Sequence, residues 1–196
     1  SESALMDLRL AMERASSAGI SLVRIVVGTH SHWGLEPPST SVERLTPILV
    51  ELCSEATGMN LELAIENHCD LPTSSLLELV ERVDSPALGV VLDTANVVRI
   101  DEDLVEAVTR LGPYVRMVHA KDLDLANAPH GDPGGWWPTP SLGLGDLDLE
   151  VALGHLIDLG FEGLACVELG SLPDGCDEVE LVRQGVHWLR GLTSGG

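Results

Sequence analysis

The sequence has few basic residues and no long hydrophobic run. Eleven Lys and Arg stand against 31 Asp and Glu, which gives a formal charge of −20. A polyanionic partner would meet long-range repulsion unless a bound cation or a local patch intervened, so we do not expect nucleic acid binding. No apolar run approaches the roughly 18 residues that span a bilayer, and the amino terminus lacks a signal sequence, so no membrane association is expected.

Cysteine is scarce as well. The four cysteines show no CxxC spacing, and Cys69 and Cys166 fall in expected strands or strand ends, where a small buried thiol is usual. We therefore expect a reduced, cytoplasmic protein. Apolar residues are plentiful by contrast, because 44% of the 196 side chains are hydrophobic. One substantial core is possible, and residues 1–196 are expected to form a single domain.

Helical and strand patterns alternate along the chain. Strands are expected at residues 21–28, 60–68, 87–97, 114–122 and 163–170, and a sixth is considered around Leu142. Helices are expected at residues 3–18, 41–58 with a start or kink near Pro47, 73–84 with Thr73 or Ser74 as cap, 101–112, 147–160 and 176–192. This alternation predicts an α/β fold with a parallel sheet covered by helices. The long loop between residues 123 and 146 is functional by default.

Four consecutive strands end on a side chain that can bind a metal. The segments LAIE, VVLD, VRMVH and LACVE end at Glu66, Asp93, His119 and Glu168. The carboxyl ends of parallel strands meet at one edge of the sheet, where ligands bind in such folds. Any one of these acids could instead cap a helix or pair with an arginine. Together, three carboxylates and an imidazole would repel one another without a cation, so the set favours a divalent metal.

Five motifs in order resemble one superfamily. LAIENH, GVVLDTAN, VHAKDLD, SLGLGDLDLEVALGHLIDLGFEG and CVELG are similar to successive signatures of the xylose isomerase-like TIM-barrel superfamily, in its sugar phosphate isomerase/epimerase branch. The resemblance implies that the four strand-end residues bind one divalent ion, commonly manganese, magnesium, cobalt or zinc. It also implies that Glu66 and Glu168 act as base and acid, moving a proton beside a ketose carbonyl through a metal-stabilised enediolate.

Three polar residues beside these motifs are candidates for substrate binding. Lys121 is the only lysine and follows His119 by two residues on the same strand face, although an ordinary surface lysine is an alternative. Asn96 stands where several relatives have a histidine, and this departure argues against a multi-metal site. His68 could line the pocket or be a hydrogen-bonded loop histidine.

The loops add aromatic and histidine candidates. Trp136 and Trp137 lie in HGDPGGWWPTP, where Trp136 could pack against a sugar ring as part of a lid, or both could plug the loop onto the barrel. The HxH pattern of His30 and His32 can bind metal, but an isolated pair is weak evidence and we do not expect it to.

The predicted strands are too few for a closed barrel. A complete barrel has eight strand–helix units over about 250 residues, and this chain supplies about six, so the amino-terminal units are expected to be missing or supplied elsewhere. A second copy or a partner chain could cover the exposed edges. The leading interpretation is an isomerase or epimerase acting on a sugar, sugar phosphate or related keto-polyol. The alternatives are a keto-polyol dehydratase, an abasic-site endonuclease-like hydrolase and a non-catalytic binding or assembly subunit.

Overall fold

Strands and helices alternate, apart from two consecutive helices after the third strand, in the part of the chain that the computed structural model describes, residues 2–170, 172 and 175–194. The elements are α1 (Glu2–Ser17), β1 (Leu22–Ile25), α2 (Pro38–Gly58), β2 (Glu62–Glu66), α3 (Thr73–Val83), β3 (Leu88–Asp93), α4 (Thr94–Arg99), α5 (Leu104–Leu111), β4 (Val115–Ala120), α6 (Leu149–Asp158), β5 (Leu164–Val167) and α7 (Glu178–Ser194). Among these helices none has the length and apolar character to cross a membrane.

The five strands form one parallel sheet in chain order, β1-β2-β3-β4-β5. Helices follow the strands as crossover connections, so the architecture is an incomplete α/β barrel of the TIM type, as predicted. Pairing places Glu66 opposite Val91, Asp93 opposite His119, and His119 opposite Cys166. The last residues of neighbouring strands therefore lie side by side at one edge of the sheet.

The sixth strand considered around Leu142 is wrong. Leu142 lies in a turn, and the described residues contain five strands rather than six. The reason is Asp122, whose buried carboxylate accepts the backbone N–H groups of Gly143, Gly145 and Leu147 at 2.9–3.2 Å. Because a side chain satisfies these donors, this stretch folds around Asp122 instead of pairing with a strand.

Other boundaries also differ from the prediction. The third strand ends at Asp93 rather than continuing to residue 97, because the Asp93 carboxylate caps α4 by accepting from the N–H groups of Ala95 and Asn96. Neither Thr73 nor Ser74 caps α3; Pro72 occupies the cap position, and the Thr73 hydroxyl donates to Glu102. Helix α2 begins at Pro38 and continues through Pro47.

The main core lies between the outer face of the sheet and the helices. Leu63, Ile65, Val90 and Leu92 are fully buried there, and α3 and α5 contribute an apolar stripe. The buried residues of these two helices are Thr73, Leu76, Leu79, Val80, Val83, Leu104, Ala107, Val108 and Leu111. An apolar cleft of about 420 Å³ remains between α6 and α7. Val118 lines this cleft and points away from the sheet face that carries His119.

Candidate metal centre

The four predicted ligands converge in the folded chain. Glu66, Asp93, His119 and Glu168 each offer a donor atom, and these atoms all lie within 4.8 Å of one another. Parallel pairing explains the convergence, because it aligns the carboxyl ends of β2, β3, β4 and β5. We call this group of four residues the metal centre.

Asn67 fixes the position of Glu66 relative to Asp93. Its amide Nδ2 donates to the carbonyl oxygen of Asp93 at 2.9 Å, and its Oδ1 accepts from the N–H of Asp93 at 2.8 Å. These two bonds extend the β2–β3 pairing by one residue beyond Glu66. Asn67 is 2% exposed, so water does not compete for the bonds.

Thr94 performs the same function between β3 and β4. Its hydroxyl donates to the carbonyl oxygen of Lys121 at 2.6 Å and lies 2.9 Å from the Lys121 backbone N, from which it accepts. The two contacts place the segment after His119 against the start of α4. The hydrogen bonds of Asn67 and Thr94, which we call the polar lock, therefore fix the backbone at the carboxyl edge on both sides of Asp93.

The contacts of His119 within this group fit a cation-binding site. His119 Nδ1 lies 2.8 Å from Glu168 Oε2 and 3.6 Å from Glu66 Oε2. His119 Nδ1 and Glu168 Oε2 are nevertheless buried without a hydrogen-bond partner among the described residues. Two polar atoms that approach closely without hydrogen-bond geometry point towards a common position, as ligands of a shared cation do.

The same contacts shift the ionisation of the centre. The carboxylates of Glu168 and Glu66 raise the pKa of His119 to about 9. Burial opposes ionisation of Glu168, but His119 and Lys121 lower its pKa to about 2. Burial likewise opposes ionisation of Glu66, whose pKa His119 and Arg24 lower, whereas burial raises the pKa of Asp93. Three carboxylates and one imidazole form an oxygen-rich donor set that fits manganese, magnesium, cobalt or zinc.

Lys121 is part of this network rather than a surface residue. It is 7% exposed, and its Nζ lies 3.0 Å from Asp93 Oδ2 and 3.1 Å from Glu168 Oε1. The surface alternative considered for this lysine is therefore wrong. Burial opposes its charged form, but Asp93 and Glu168 together raise its pKa. The ammonium orients two carboxylates of the metal centre.

Arg24 and Arg99 contribute positive charge that the sequence motifs did not predict. Arg24 lies opposite Ala64 on the inner face of the sheet, and its guanidinium contacts Glu66. A charged residue at an inward position of the apolar segment LVRIVV was the available signal. No sequence pattern pointed to Arg99, which lies at the last position of α4 and approaches the site only through tertiary structure.

Two of the other predicted contact residues lie near the centre without joining it. Asn96 is buried, and its Oδ1 accepts from Arg99 Nη1 at 3.1 Å. His68 is half-buried, and its Nδ1 has no hydrogen-bond partner among the described residues. Their roles in substrate binding stay predictions.

The two tryptophans of the long loop differ in burial. Trp137 is 3% exposed and packs with Ala95 and Leu123, whereas Trp136 is 54% exposed. Trp136 thus remains free to contact a substrate, which stays a prediction. His30 and His32 form a short 3₁₀ turn after β1, in which His32 Nδ1 accepts from the Thr29 N–H at 3.1 Å.

The fold and the four converging donors together define a class: parallel α/β barrel-type proteins with a candidate divalent-metal site at the carboxyl edge of the sheet. The chain belongs to the xylose isomerase-like TIM barrel family, whose model matches residues 1–192.

The chain is also similar to individual curated proteins and solved structures. Fructoselysine 3-epimerase of Shigella flexneri is 27% identical over 175 residues, which are 86% of this chain and 58% of that protein. The uncharacterized protein YihM of Escherichia coli is 32% identical over 101 residues, covering 51% of this chain and 30% of that protein. The structure of the IOLI protein with a bound zinc atom matches with a TM-score of 0.78 at 20% identity, over 96% of this chain and 68% of that one. The chain therefore spans about a third to somewhat over half of the length of these two curated relatives.

Proposed function

We propose that this chain carries the metal centre of a divalent-metal-dependent isomerase or epimerase that acts on a sugar, a sugar phosphate or a related keto-polyol. The observation that supports it most directly is the convergence of Glu66 and Glu168 with Asp93 and His119 within 4.8 Å. The similarity to fructoselysine 3-epimerase, which extends over 86% of this chain, points to the same reaction type.

The four residues of the metal centre would hold the ion. A bound divalent cation supplies Lewis-acid polarisation of a carbonyl oxygen and an adjacent hydroxyl oxygen. The protein supplies the preorganised frame, because Asn67 and Thr94 lock the strand ends that carry the ligands. Lys121 donates to Asp93 and Glu168 and thereby limits the orientations of both carboxylates.

Two glutamates provide the proton-transfer groups. One removes the proton from the carbon next to the carbonyl, and the other returns a proton to that carbon or to its neighbour. The two differ in access to water, since the Glu66 side chain is 2% exposed and that of Glu168 is 38% exposed. We assign exchange of protons with solvent to Glu168, while Arg24 and His119 keep Glu66 ionised and fixed.

The first test measures metal content and proton exchange together. The purified protein, the Glu66→Gln/Glu168→Gln double variant and a Glu62→Gln control would be loaded with zinc and analysed for metal. Glu62 lies at the other end of β2 and pairs with Arg116, so its replacement removes a strand carboxylate without touching the centre. Keto sugars and their phosphates would then be incubated in ²H₂O with each protein, and loss of the proton signal beside the carbonyl would be followed by NMR.

We expect about one zinc per chain in the native protein and in the control, and loss of zinc from the double variant. Proton exchange on at least one ketose should occur only in the two zinc-containing proteins. Absence of metal from the native protein would overturn the metal centre. Stoichiometric metal without exchange on any ketose would overturn the catalytic proposal and favour a non-catalytic binding subunit.

A further inference from the structure

A small cavity lies next to the metal centre, between α4 and the loop that follows β4. The residues that line it include Arg99, Lys121, Thr139 and Gly170, and its volume is about 40 Å³. A Cβ atom at Gly170 would lie 3.0 Å from Thr139 Oγ1 and 3.9 Å from Lys121 Cδ. The glycine therefore keeps open the space between the hydroxyl and the lysine.

Arg99 brings a positive charge to this cavity without a carboxylate partner among the described residues. Its Nη1 donates to Asn96 Oδ1 and its Nη2 to the carbonyl oxygen of Pro133, both of which are neutral. Its buried Nε has no hydrogen-bond partner among the described residues. Leaving a part-buried guanidinium without a counter-ion is costly unless a ligand provides one.

The other arginines show how unusual this is in such an acidic chain. Seven of them lie within 4.0 Å of a glutamate oxygen: Arg9, Arg24, Arg44, Arg82, Arg110, Arg116 and Arg183. With 31 acidic residues available, a carboxylate partner for Arg99 would be easy to provide. Its lack of one in the described part of the chain points to a partner that comes from outside.

Lys121 provides the second cation. An ammonium has three N–H donors, and Asp93 and Glu168 use two of those of Lys121. A third donor is left for a ligand in the cavity that its side chain lines. With a divalent ion bound, the positive charges of the ion, Lys121 and Arg24 outnumber the negative charges of the three carboxylates. Arg99 adds a further positive charge. The site therefore attracts an anion locally although the whole chain repels anions.

The size of the cavity selects among anions. A water molecule needs roughly 10–15 Å³ of such space, so about 40 Å³ accommodates about three heavy atoms. A carboxylate has three heavy atoms, whereas a phosphoryl group has five. A planar carboxylate also matches the forked N–H donors of a guanidinium.

We infer that the cavity between Arg99, Lys121 and Thr139 is a subsite for a carboxylate of the substrate, so that keto acids of the sugar series are bound in preference to the corresponding neutral ketoses. The inference rests on the proposed function, which places the carbonyl end of the substrate at the adjacent metal centre. Arg99 is a specificity residue in this arrangement, and Lys121 links the subsite to the carboxylates of the centre.

The test uses the single lysine as a reporter. Protein labelled with [¹³C]lysine and loaded with zinc gives one set of ε-methylene NMR signals, because Lys121 is the only lysine in the chain. Acetate is the probe, and it would be titrated into the native protein, Arg99→Gln, Arg99→Lys and Arg82→Gln. Arg82→Gln is the matched control, since it removes one positive charge at a helix surface pair with Glu78.

We expect a saturable shift of the Lys121 signals in the native protein and in Arg82→Gln, and at least about tenfold weaker acetate binding in Arg99→Gln. Arg99→Lys keeps the positive charge but lacks the paired N–H donors of a guanidinium, so its acetate affinity should lie between those of the native protein and Arg99→Gln. This intermediate affinity would show that weak binding by Arg99→Gln is not caused by misfolding. A shift that is absent from the native protein, or that is unchanged in Arg99→Gln, would overturn the subsite. In the second case acetate would be bound at the zinc ion instead.

A second comparison separates this inference from the proposed function. D-Fructose and D-fructuronate, which differ in a terminal hydroxymethyl or carboxylate group, would be compared for binding to the zinc-loaded native protein. The subsite predicts about tenfold preference for D-fructuronate over D-fructose in the native protein, and loss of this preference in Arg99→Gln. Equal affinity would overturn the subsite even if both sugars exchange protons. Acetate binding with no exchange on any keto acid would instead retain the subsite and reject the catalytic function.

Discussion

The middle strands and the outer strands of the sheet are built on different principles. All of β3 and all but the first residue of β2 are buried, whereas β5 has no buried residue and β1 has one. Leu92 on β3 is 0% exposed and Leu164 on β5 is 67% exposed. Middle strands of a parallel sheet have both faces covered, but β1 and β5 are edges of an open sheet.

The metal centre spans this divide. Glu66 and Asp93 end the two buried strands and are held by Asn67 and the core, while Glu168 follows the exposed β5 and is held by ionic contacts to His119 and Lys121. Burial therefore adds to the ionic contacts that hold Glu66 and Asp93, whereas Glu168 depends on its ionic contacts. In a closed barrel further strands would cover the inner side of β5, so a second copy or a partner chain over this face stays a prediction.

The largest expected effect contrasts packing in the two regions. Leu92→Ala should lower the free energy of unfolding by about 2–5 kcal/mol, because it leaves a cavity in a fully buried layer. Leu164→Ala should change it by less than about 0.5 kcal/mol, since that side chain is largely in water. Urea denaturation followed by circular dichroism measures both. Similar losses for the two variants would show that β5 is covered in solution.

The next effect concerns the pH dependence of metal binding. The metal-free centre holds a proton on His119, whose pKa the two glutamates raise to about 9. That proton must leave for the nitrogen to bind a cation, so manganese affinity should rise about tenfold per pH unit, or about 100-fold from pH 6 to pH 8. Calorimetric titration at several pH values measures the slope.

His119→Asn is the control. This variant should bind manganese more weakly, and its affinity should depend less steeply on pH. An unchanged slope would place the proton on another ligand, such as Asp93, whose pKa burial raises. The stability of the folded metal-free protein depends on pH with the opposite sign. Because His119 has a raised pKa in the folded state, its contribution to the stability of the metal-free protein is complete below about pH 6.5 and is lost as the pH rises through about 9.

A third prediction tests the polar lock at the end of the middle strands. Asn67→Ala leaves the buried N–H and C=O of Asp93 without their partners and should cost about 1–3 kcal/mol of unfolding free energy. Asn127→Ala removes an amide that contacts Asp124 on an exposed turn and should cost less than about 0.5 kcal/mol. Equal costs in urea denaturation would contradict a special role for Asn67. Metal affinity should fall in Asn67→Ala alone.

The smallest effect is a difference of sign between two glycines. Gly154 lies inside α6, and a Cβ atom added there would meet no atom within 4 Å, so Gly154→Ala should stabilise the protein by about 0.5–1 kcal/mol. Gly89 lies inside β3, where a Cβ would clash with the Arg116 side chain and with the carbonyl oxygen of Tyr114, so Gly89→Ala should destabilise the protein. Thermal unfolding of the two variants gives the signs. Stabilisation by both would show that the Arg116 side chain and the Tyr114 backbone move aside at no cost.

Residue spacing predicted the four ligands because two local rules are sufficient for them. Strand periodicity places Glu66, Asp93, His119 and Glu168 at strand ends, and parallel order brings those ends to one edge. The same rules failed at Leu142, because the N–H groups that follow it are satisfied by Asp122, about 20 residues away in sequence. The same local rules could not decide whether Lys121 is a surface residue, because its partners Asp93 and Glu168 lie at the ends of two other strands.

The amino-acid sequence by itself determined the order of strands and helices, the acidic character of the chain and the four metal-capable side chains that meet at the carboxyl edge, because hydrophobic periodicity and residue type are local properties. Only the tertiary structure decided which charges are neutralised. It buries Lys121 between Asp93 and Glu168, brings Arg99 to the adjacent cavity with no carboxylate partner in the described part of the chain, and leaves β5 exposed beside the partly buried β4. Burial and ion pairing depend on distances between residues far apart in the chain, and those distances exist only once the chain has folded.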